Sequence, residues 1–399
     1  MMSKEKRRVP KLRFPGFTED WEQRKLGNIV DFLDGQRKPL KESERTKGKY
    51  PYYGASGIID YINDYLFDEN LVLLSEDGAN IIDRNYPVCF IATGKYWVNN
   101  HAHVLKVKTG VIDKFICESL ERLDYTKFNT GTAQPKLNQD ICQKIVITIP
   151  NEDEQKCISE FLDKINNIIT LHQRKLDNLK LKKKALLQKL FPKNGERYPE
   201  LRFPGFTDAW EQRKLGSIGS TYTGLSGKTK EDFGHGEAKY ITYLNVFQNT
   251  ISNITMTDKV EIDPTQNEVK YGDVLFTTSS ETPEEVGMSS VWLGDTPNIY
   301  LNSFCFGFRP NQKIDSYFLG YSLRAPYMRD KIKILAQGIS RYNISKNKVM
   351  ELEISLPNNE EQKLLGTFLQ RIDLIITLHQ RKLDHLQLQK KALLQQMSV

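Results

Sequence analysis

The sequence predicts an α+β fold in which two tandem modules are each followed by a long helix. The two helices are expected to form an antiparallel intramolecular coiled coil about a pseudo-two-fold axis. Three observations carry this prediction. The segment Leu12–Gly27 recurs at Leu201–Gly216, the decapeptide Ile168–Asp177 recurs at Ile375–Asp384, and the interiors between these repeats are dissimilar. Repeated ends with divergent interiors are typical of paired recognition modules rather than of duplicated catalytic domains.

Each repeated leader is predicted to contain a short helix. The threonine of its FT pair suits an N-cap and the last glycine suits a helix end, at Thr18 and Gly27 and again at Thr207 and Gly216. The single tryptophan of each leader is interpreted as an anchor that packs the segment against its module. These tryptophans are Trp21 and Trp210.

Short apolar and alternating runs predict mostly antiparallel strands in both modules. In the first module they are Ile29–Phe32, Leu71–Ser75, Val88–Thr93 and Ala102–Lys108, and in the second Tyr240–Phe247, Asp273–Thr277, Ser290–Leu293 and Tyr300–Phe308. A helix at Lys114–Leu123 or Ser316–Leu335 and a last strand at Lys144–Ile149 or Leu352–Leu356 complete the modules. This mixture indicates the α+β class.

The long helices carry an apolar heptad pattern over four to five repeats, which predicts a coiled-coil seam. About 37 helical residues would form a rod of roughly 55 Å. The seam positions are Ile158, Leu162, Ile165, Ile169, His172, Leu176, Leu179, Lys183, Leu186 and Leu190, and 207 residues later Leu365, Leu369, Ile372, Ile376, His379, Leu383, Leu386, Lys390, Leu393 and Met397. The histidines are interpreted as register-setting residues and the lysines as side chains that reach water past the seam.

Loops in the divergent interiors carry side chains of the kinds that contact nucleic acids. Basic, amide, hydroxyl and aromatic groups make phosphate, base-edge and stacking contacts. In the first module the candidates are Gln36, Arg37, Lys38, Tyr52, Tyr53, Ser56, Asn99, Asn100, Thr132, Gln134 and Lys136. At corresponding places in the second they are Ser226, Lys228, Lys230, Asn302, Ser340, Arg341 and Asn343. The alternative interpretation of each loop is an ordinary solvated turn.

Signs of catalysis are weak. His101 and His103 alternate on a strand near Cys89, a pattern that an ordinary half-buried strand explains better than a metal site. The short matches to a nuclease E-x-K motif, at Glu237–Lys239 and Glu268–Lys270, are at the level of chance. No phosphate-binding loop, GxSxG or methyl-transfer motif occurs. The sequence therefore predicts no catalytic residue, metal or cofactor in this chain.

Composition and charge agree with a nucleic-acid partner. The 399 residues carry a formal net charge of +7, which allows a polyanionic partner without requiring one. No eighteen-residue apolar run or export signal occurs, so a cytoplasmic protein with no membrane partner is expected. The five cysteines lack CxxC spacing and are expected to be reduced thiols. They are Cys89, Cys117, Cys142, Cys157 and Cys305.

The two leaders, the two heptad helices and the variable interiors "YPYYGASG" and "GTAQPKLN" together resemble the DNA-specificity subunit of type I restriction-modification systems. The resemblance implies two target recognition domains, each of which reads one half of a split asymmetric DNA site. It also implies two methyltransferase subunits and two restriction-translocase subunits as partners, which carry S-adenosylmethionine, ATP and Mg²⁺. The chain itself would be non-catalytic, within a complex that methylates adenine and cleaves DNA.

The resemblance and the repeats together suggest four segments. These are 1–150 for the first recognition domain, 151–192 for the central helix, 193–357 for the linker, repeated leader and second recognition domain, and 358–399 for the last helix. The similar leaders also predict that the modules can be exchanged.

Two alternative functions remain open from the sequence. One is a stand-alone DNA-modifying or DNA-cleaving enzyme, and the other is a coiled-coil scaffold that reads no DNA sequence.

Overall fold

The computed structural model describes residues 9–193 and 195–397. The chain divides into two units, each of which contains one module. The first unit is the chain up to His172 together with the chain from Lys382 onwards, and the second runs from Gln173 to Arg381. Each long helix therefore begins in one unit and ends in the other.

The first unit is an α+β module with mostly antiparallel strands. Its strands are β1 Glu22–Lys25, β2 Val30–Phe32, β3 Lys47–Gly54, β4 Gly57–Ile62, β5 Phe67–Asp68, β6 Leu71–Ser75, β7 Cys89–Ala92, β8 Lys95–Val98, β9 Ala102–Val107 and β10 Val146–Ile149. Its helices are α1 Leu26–Ile29, α2 Asn80–Asp83, α3 Asp113–Glu121, α4 Gln139–Lys144 and the start of α5 Glu152–Lys189. The sheets have the orders β2-β9-β6-β7, β4-β3-β8-β5 and β1-β10.

The second unit repeats this plan with a different interior. Its strands are β11 Glu211–Lys214, β12 Gly219–Thr223, β13 Phe233–Ile241, β14 Thr257–Val260, β15 Val274–Thr277, β16 Ser279–Ser280, β17 Ser289–Val291, β18 Ile299–Leu301, β19 Cys305–Pro310, β20 Tyr342–Asn343 and β21 Glu353–Leu356. Its helices are α6 Leu215–Ile218, α7 Tyr243–Gln248, α8 Ser316–Arg324, α9 Pro326–Ile334, α10 Lys346–Met350 and the start of α11 Asn359–Gln396. The sheet β12-β19-β15-β17 corresponds to β2-β9-β6-β7.

Each leader contains a four-residue strand where a helix was predicted, so the predicted leader helices are wrong. In each copy the sequence EQRK pairs antiparallel with the last strand of its module, β1 with β10 and β11 with β21. Thr18 and Thr207 precede these strands and cap no helix, while Gly27 and Gly216 lie inside the short helices that follow. Backbone pairing with a neighbouring strand outweighed the local cap signals.

The leader tryptophans are module anchors, as the sequence predicts. Trp21 is buried and packs edge-on against Phe115 of α3, with ring centroids 5.9 Å apart. Trp210 is buried and packs in the same way against Phe318 of α8, at 5.8 Å. Each leader is thus fixed to the helix of its own module by burial of an aromatic surface.

Four interior predictions need correction. The run Tyr240–Phe247 is the end of β13 followed by α7, because the Thr242 side chain caps a helix. The run Tyr300–Phe308 is divided into β18 and β19 by a turn. The predicted helix Ser316–Leu335 is interrupted before Pro326, where Ala325 has extended backbone. The stretch 35–57, predicted as a loop, contains β3 and the turn into β4.

The long helices begin in the same way. The Asn151 and Asn358 side chains accept hydrogen bonds from the backbone N–H groups of Glu154 and Glu361, 2.9 Å away in both cases. The same glutamates bind the leader arginines, Glu154 with Arg13 and Glu361 with Arg202, each at 2.7 Å. The repeated sequence therefore builds one frame twice.

The predicted seam is confirmed by burial, since every seam residue on α5 and α11 is buried or half-buried. The two helices run antiparallel. In the second unit Lys183, near the end of α5, contacts Asp373, near the start of α11. In the first unit Leu394, near the end of α11, packs against the core that contains Ile158 and Leu162 of α5.

The cysteines and the hydropathy of the helices complete the description of the fold. All five cysteines are free thiols, and three of them are buried. Among the described residues, no helix is both long and apolar enough to cross a membrane.

Candidate nucleic-acid interface

Three loops that are distant in sequence meet at one edge of the first module. The Lys38 N–H donates to the Val98 carbonyl at 3.3 Å, and the Asn99 N–H donates to the Tyr53 carbonyl at 3.0 Å. The Gly78 N–H donates to the Pro135 carbonyl at 3.0 Å. These bonds join the predicted loops near residues 36–57, 99–101 and 130–138 through the turn that follows β6. We call this edge the first loop face.

Exposure separates the candidate residues of the first loop face into two groups. The exposed ones can reach a ligand, and they are Gln36, Lys38, Ser56, Asn100, Thr132, Gln134 and Lys136. Tyr52 is only 1% exposed, and its hydroxyl accepts a hydrogen bond from the Leu40 N–H. Asn99 is 5% exposed, and its Oδ1 accepts from the His101 N–H. Tyr52 and Asn99 are therefore core and turn residues, and their burial disfavours the predicted DNA contacts without testing them.

Tyr53 is half-buried among aromatic rings, stacked on Phe90 at 5.7 Å and edge-on to Tyr96 at 5.6 Å. Burial raises the pKa of its hydroxyl. Its ring supports the loop face from behind, so little of the ring is free to stack on a base.

Arg37 lies inside an ion-pair network. Its Nη1 donates to Glu76 Oε2 at 2.6 Å and to the Ala102 carbonyl at 2.8 Å, while its Nε donates to the Asp34 carbonyl at 3.1 Å. Only 11% of its side chain is exposed. On this geometry the guanidinium of Arg37 fastens the loop to β6 and β9, which disfavours the predicted DNA contact of Arg37 without testing it.

His103 is the buried centre of this network. Its Nδ1 lies 2.6 Å from Asp34 Oδ2, and its Nε2 lies 2.7 Å from the Leu137 carbonyl, which can only accept. Burial lowers the pKa of His103, but interactions with Asp34 and Cys142 outweigh it and raise the pKa to about 10. The imidazole is therefore a cation that donates from both nitrogens near neutral pH.

Asp34, Glu76 and His103 are close enough to suggest a metal site. Their ligand atoms are already engaged, because Asp34 binds His103, and Glu76 binds Arg37 and, at 3.5 Å, Lys136. Three cations thus surround two carboxylates, which disfavours a further cation. His101 belongs to a different contact, with Asp77 at 2.8 Å, and Cys89 lies in the hydrophobic core.

We expect the first module to lose stability as the pH rises. The folded-state pKa of His103 is raised from 6.5 to about 10, so its contribution is complete below pH 6.5 and disappears as the pH passes about 10. Urea unfolding followed by tryptophan fluorescence should give a free energy that falls across this window. The His103→Gln variant should be less stable at about pH 7 and show a flatter profile to about pH 9. Parallel profiles would contradict the assignment.

The second module brings corresponding loops together. The Leu225 N–H donates to the Leu301 carbonyl at 2.8 Å, and the Thr278 N–H donates to the Phe304 carbonyl at 2.9 Å. Strand β20, which contains Asn343, pairs with β16. Arg341 Nη2 donates to Ser279 Oγ at 3.3 Å, and its guanidinium lies 5.7 Å from the Phe304 ring centroid. We call this edge the second loop face.

The predicted residues of the second loop face form two clusters. Ser340, Arg341 and Asn343 are exposed, and Asn302 is half-buried beside them on the turn between β18 and β19. Ser226 and Lys230 are exposed on the loop after β12. Lys228 lies on the same loop, but its Nζ is 2.8 Å from Asp263 Oδ2 and its side chain is 13% exposed. The ammonium group of Lys228 is therefore held by Asp263 and supports the loop, which leaves it less available for a phosphate contact.

Two apolar residues on the second loop face were missed. Ile339 is 95% exposed at the tip of the loop before β20, and Phe304 is 54% exposed beneath Arg341. Phe304 follows the predicted Asn302, and Ile339 precedes the predicted Ser340. An apolar side chain between polar loop residues was therefore an available signal.

The comparisons with known proteins decide the family. A family model described as "Type I restriction modification DNA specificity domain" matches residues 18–181 and again residues 207–388. The chain belongs to this family. The two matches correspond to the two halves of the duplication, as expected of a type I specificity chain.

Relatives and solved structures agree with the assignment. The type I specificity chain is 26% identical over 407 residues to the MjaVIII specificity subunit of Methanocaldococcus jannaschii, covering 96% of this chain and 92% of that protein. It is 35% identical over 142 residues to a Haemophilus influenzae protein named as a type I restriction enzyme specificity subunit, and this match spans 36% of each protein. A type I S subunit from M. genitalium has the same fold, with a TM-score of 0.60, 14% identity and coverage of 98% and 99%. The predicted fold class is confirmed.

Proposed function

We propose that this chain is the non-catalytic DNA-binding subunit of a type I restriction-modification complex. Each module reads one half of a bipartite asymmetric site, through the first loop face and the second loop face. The observation that carries the proposal is the convergence of three separated loops at corresponding edges of both modules, with different exposed side chains at each edge. Equivalent surfaces that differ in chemistry suit two half-sites of different sequence.

The exposed side chains suit groove contacts. Lys38 and Lys136 suit phosphate contacts, and Gln134 suits a bidentate contact with adenine. On the second loop face, Arg341 and Asn343 suit contacts with guanine and adenine, and the apolar Ile339 suits contact with a thymine methyl group. These roles rest on exposure and side-chain chemistry.

Removing Lys38 and Gln134 together should weaken binding to the cognate site. A lost base contact costs about 1–3 kcal/mol of binding free energy. A lost phosphate contact reduces the slope of log affinity against log salt concentration by about one. Affinity and salt slope should be measured with the assembled methyltransferase complex. Lys106→Ala is the matched control, because Lys106 is exposed at the other end of β9. Equal affinities for all variants would exclude the first loop face as a reader.

We also propose that the paired helices bind two methyltransferase subunits. The decapeptide repeated on α5 and α11 exposes the same apolar pair twice, Ile168 with Leu171 and Ile375 with Leu378. These side chains lie outside the seam, and Leu171 and Leu378 are more than half exposed. An identical apolar patch on each helix suits two copies of one partner.

Replacing Ile168 and Leu171 with serine should remove one methyltransferase subunit from the complex, and adding the same changes at Ile375 and Leu378 should remove both. The loss follows from removing the apolar contact area of each patch. Mass measurement of the purified complex gives the stoichiometry. The exposed pair Thr170→Ala and Thr377→Ala, from the same decapeptides, is the control. A quadruple variant that retains both subunits would refute this docking surface.

The remaining assignments follow from the proposed complex. S-adenosylmethionine, ATP and Mg²⁺ would be bound by partner subunits, which supply adenine methylation, translocation and cleavage. Two restriction-translocase subunits complete the assembly, in the cytoplasm. The segments 1–150, 151–192, 193–357 and 358–399 are proposed as the working domain boundaries. A preparation of this chain alone that cleaves or methylates DNA would refute the non-catalytic role.

A further inference from the structure

A polar triad connects the first module to both long helices. Lys390 Nζ of α11 lies 3.2 Å from Glu118 Oε1 of α3. Asn166 of α5 donates through Nδ2 to the same oxygen at 3.1 Å. The side chains of Lys390 and Glu118 are 23% and 19% exposed. One acid, supplied by the module, thus balances one lysine supplied by the far end of the other helix.

A second triad occupies the same place in the second unit. Lys183 Nζ of α5 lies 2.5 Å from Asp373 Oδ1 of α11. Tyr321 of α8 donates through its hydroxyl to Asp373 Oδ2 at 2.7 Å. Lys183 Nζ also lies 5.4 Å from the centroid of the Tyr321 ring. Here the acid belongs to the long helix, and the module supplies only an uncharged donor.

The two triads correspond residue by residue. Lys183 and Lys390 are related by the 207-residue repeat, and so are Asn166 and Asp373. Glu118 and Tyr321 are each the sixth residue of the module helix, α3 or α8. We call the contact of each module with the two long helices, centred on its triad, a joint. The acid belongs to the module in the first joint and to a long helix in the second, whereas the lysine belongs to a long helix in both.

Other contacts of the joints are the same in both units. The Leu12 N–H donates to the Gln396 carbonyl at 2.9 Å, and the Leu201 N–H donates to the Lys189 carbonyl at 2.9 Å. The leader arginines bind equivalent glutamates at equal distances, as described above. Because these other contacts are the same, the two units differ specifically in which element supplies the acid.

A steric difference accompanies the charge difference. A Cβ atom at Gly366 would lie 2.4 Å from Asp315 Oδ1 and 2.7 Å from the Phe318 backbone nitrogen. The N-terminus of α8 therefore approaches α11 where a side chain does not fit. The corresponding residue of α5 is the buried Ser159. The second module would meet this serine if it were moved to the first position.

We propose that the two joints match each module to its own position in the chain. The first position accepts a module that brings an acid, and the second accepts a module that brings an uncharged hydrogen-bond donor and a close helix N-terminus. A misplaced module leaves either a half-buried lysine without an acid or two acids beside one lysine, and both arrangements are destabilising. The leaders permit exchange, whereas the joints restrict it.

Moving the acid within the first joint tests this matching in the natural fold. Glu118→Gln should lower the thermal unfolding midpoint of the full chain by about 2–4 °C, because Lys390 loses its acid. Asn166→Asp should raise the midpoint in the Glu118→Gln background, since the acid then sits where Asp373 sits in the other joint. In the wild-type background Asn166→Asp should lower the midpoint or leave it unchanged, because Glu118 is already present.

Two chimeras test the matching between modules. Replacing residues 28–149 with a second copy of 217–356 should give a chain whose midpoint rises when Asn166→Asp and Ser159→Gly are added. Replacing 217–356 with a second copy of 28–149 should give one whose midpoint rises with Asp373→Asn. In the wild-type chain Asp373→Asn should lower the midpoint, because it removes the partner of Lys183 and Tyr321.

The decisive result is a shift of the thermal unfolding midpoint that differs in sign between mismatched and natural chains. Each helix substitution should stabilise the mismatched background and fail to stabilise the natural one. Substitutions that shift the midpoint equally in matched and mismatched backgrounds would overturn the proposal. Chimeras that remain unfolded with and without the compensating changes would also overturn it, because the joints would then not be what limits exchange.

Discussion

A chain with two copies of the second module is expected to recognise an inverted repeat of one half-site. The variant carries 217–356 in place of 28–149, together with Asn166→Asp and Ser159→Gly to fit the joint. Arg341 and Asn343, which we propose contact bases, belong to the copied module, so both halves of the site should become the half that this module reads. Mapping of methylated positions in a host that expresses the variant and its methyltransferase gives the result.

The control for this variant is the natural chain with Asn166→Asp and Ser159→Gly, which should keep the original asymmetric site if it assembles. An assembled chimera that still methylates the original site would contradict the assignment of one half-site to each module. This outcome is independent of stability, so a folded chimera with unchanged specificity would refute the reading function and leave the matching of the joints intact.

Adding one heptad to each long helix is expected to lengthen the unread gap between the half-sites. Lys183 contacts Asp373, so in an antiparallel pair Leu179 lies opposite Thr377. Insertions after Leu179 and after Ile376 therefore face each other and keep every seam residue on its side. Seven residues add roughly 10 Å, which corresponds to about three base pairs at 3.4 Å each.

The heptad variant should lose the original site and gain one with the same halves and a longer gap. A four-residue insertion at the same places is the matched control, because it shifts the seam and should impair assembly more. Methylation mapping of the assembled variant decides the point. A complex that keeps the original spacing would show that the helices hold the modules without setting their separation.

Periodic and repeated features could be predicted from the sequence because they are written into it twice. The seam from Ile158 to Leu190 and from Leu365 to Met397 follows heptad spacing, and each member is buried or half-buried. The buried strand β6 was also predictable, because a continuous apolar run between turn residues signals a strand buried on both faces.

Features that depend on tertiary pairing could not be predicted in this way. Strand β1 is four polar residues that are all exposed, so no alternation reveals it, and its pairing with β10 depends on the completed module. The break at Pro326 and the cap at Thr242 did have local signals. Those signals lie within strongly apolar runs, and the apolar pattern alone predicts one continuous strand or helix at each place.

In the candidate site, too, local sequence indicates the loops, whereas the exposure of each side chain depends on tertiary structure. Composition selected loops that the structure brings together at one edge of each module, because these loops are rich in basic, amide and hydroxyl residues. It could not distinguish Lys38, which is exposed, from its neighbour Arg37, which is held by Glu76 and the Ala102 carbonyl. That distinction requires knowing that β6 and β9 bring carboxylates and carbonyls beneath the loop.

The central claim, that each module reads one half of a split site, is tested most directly by mapping every methylated position in a host that expresses the natural chain with its methyltransferase. The predicted motif consists of two different short blocks separated by a gap of fixed length and unspecified sequence. Arg341→Ala should relax one block and leave the other unchanged. A single continuous motif, or an Arg341→Ala variant that relaxes both blocks equally, would contradict the claim.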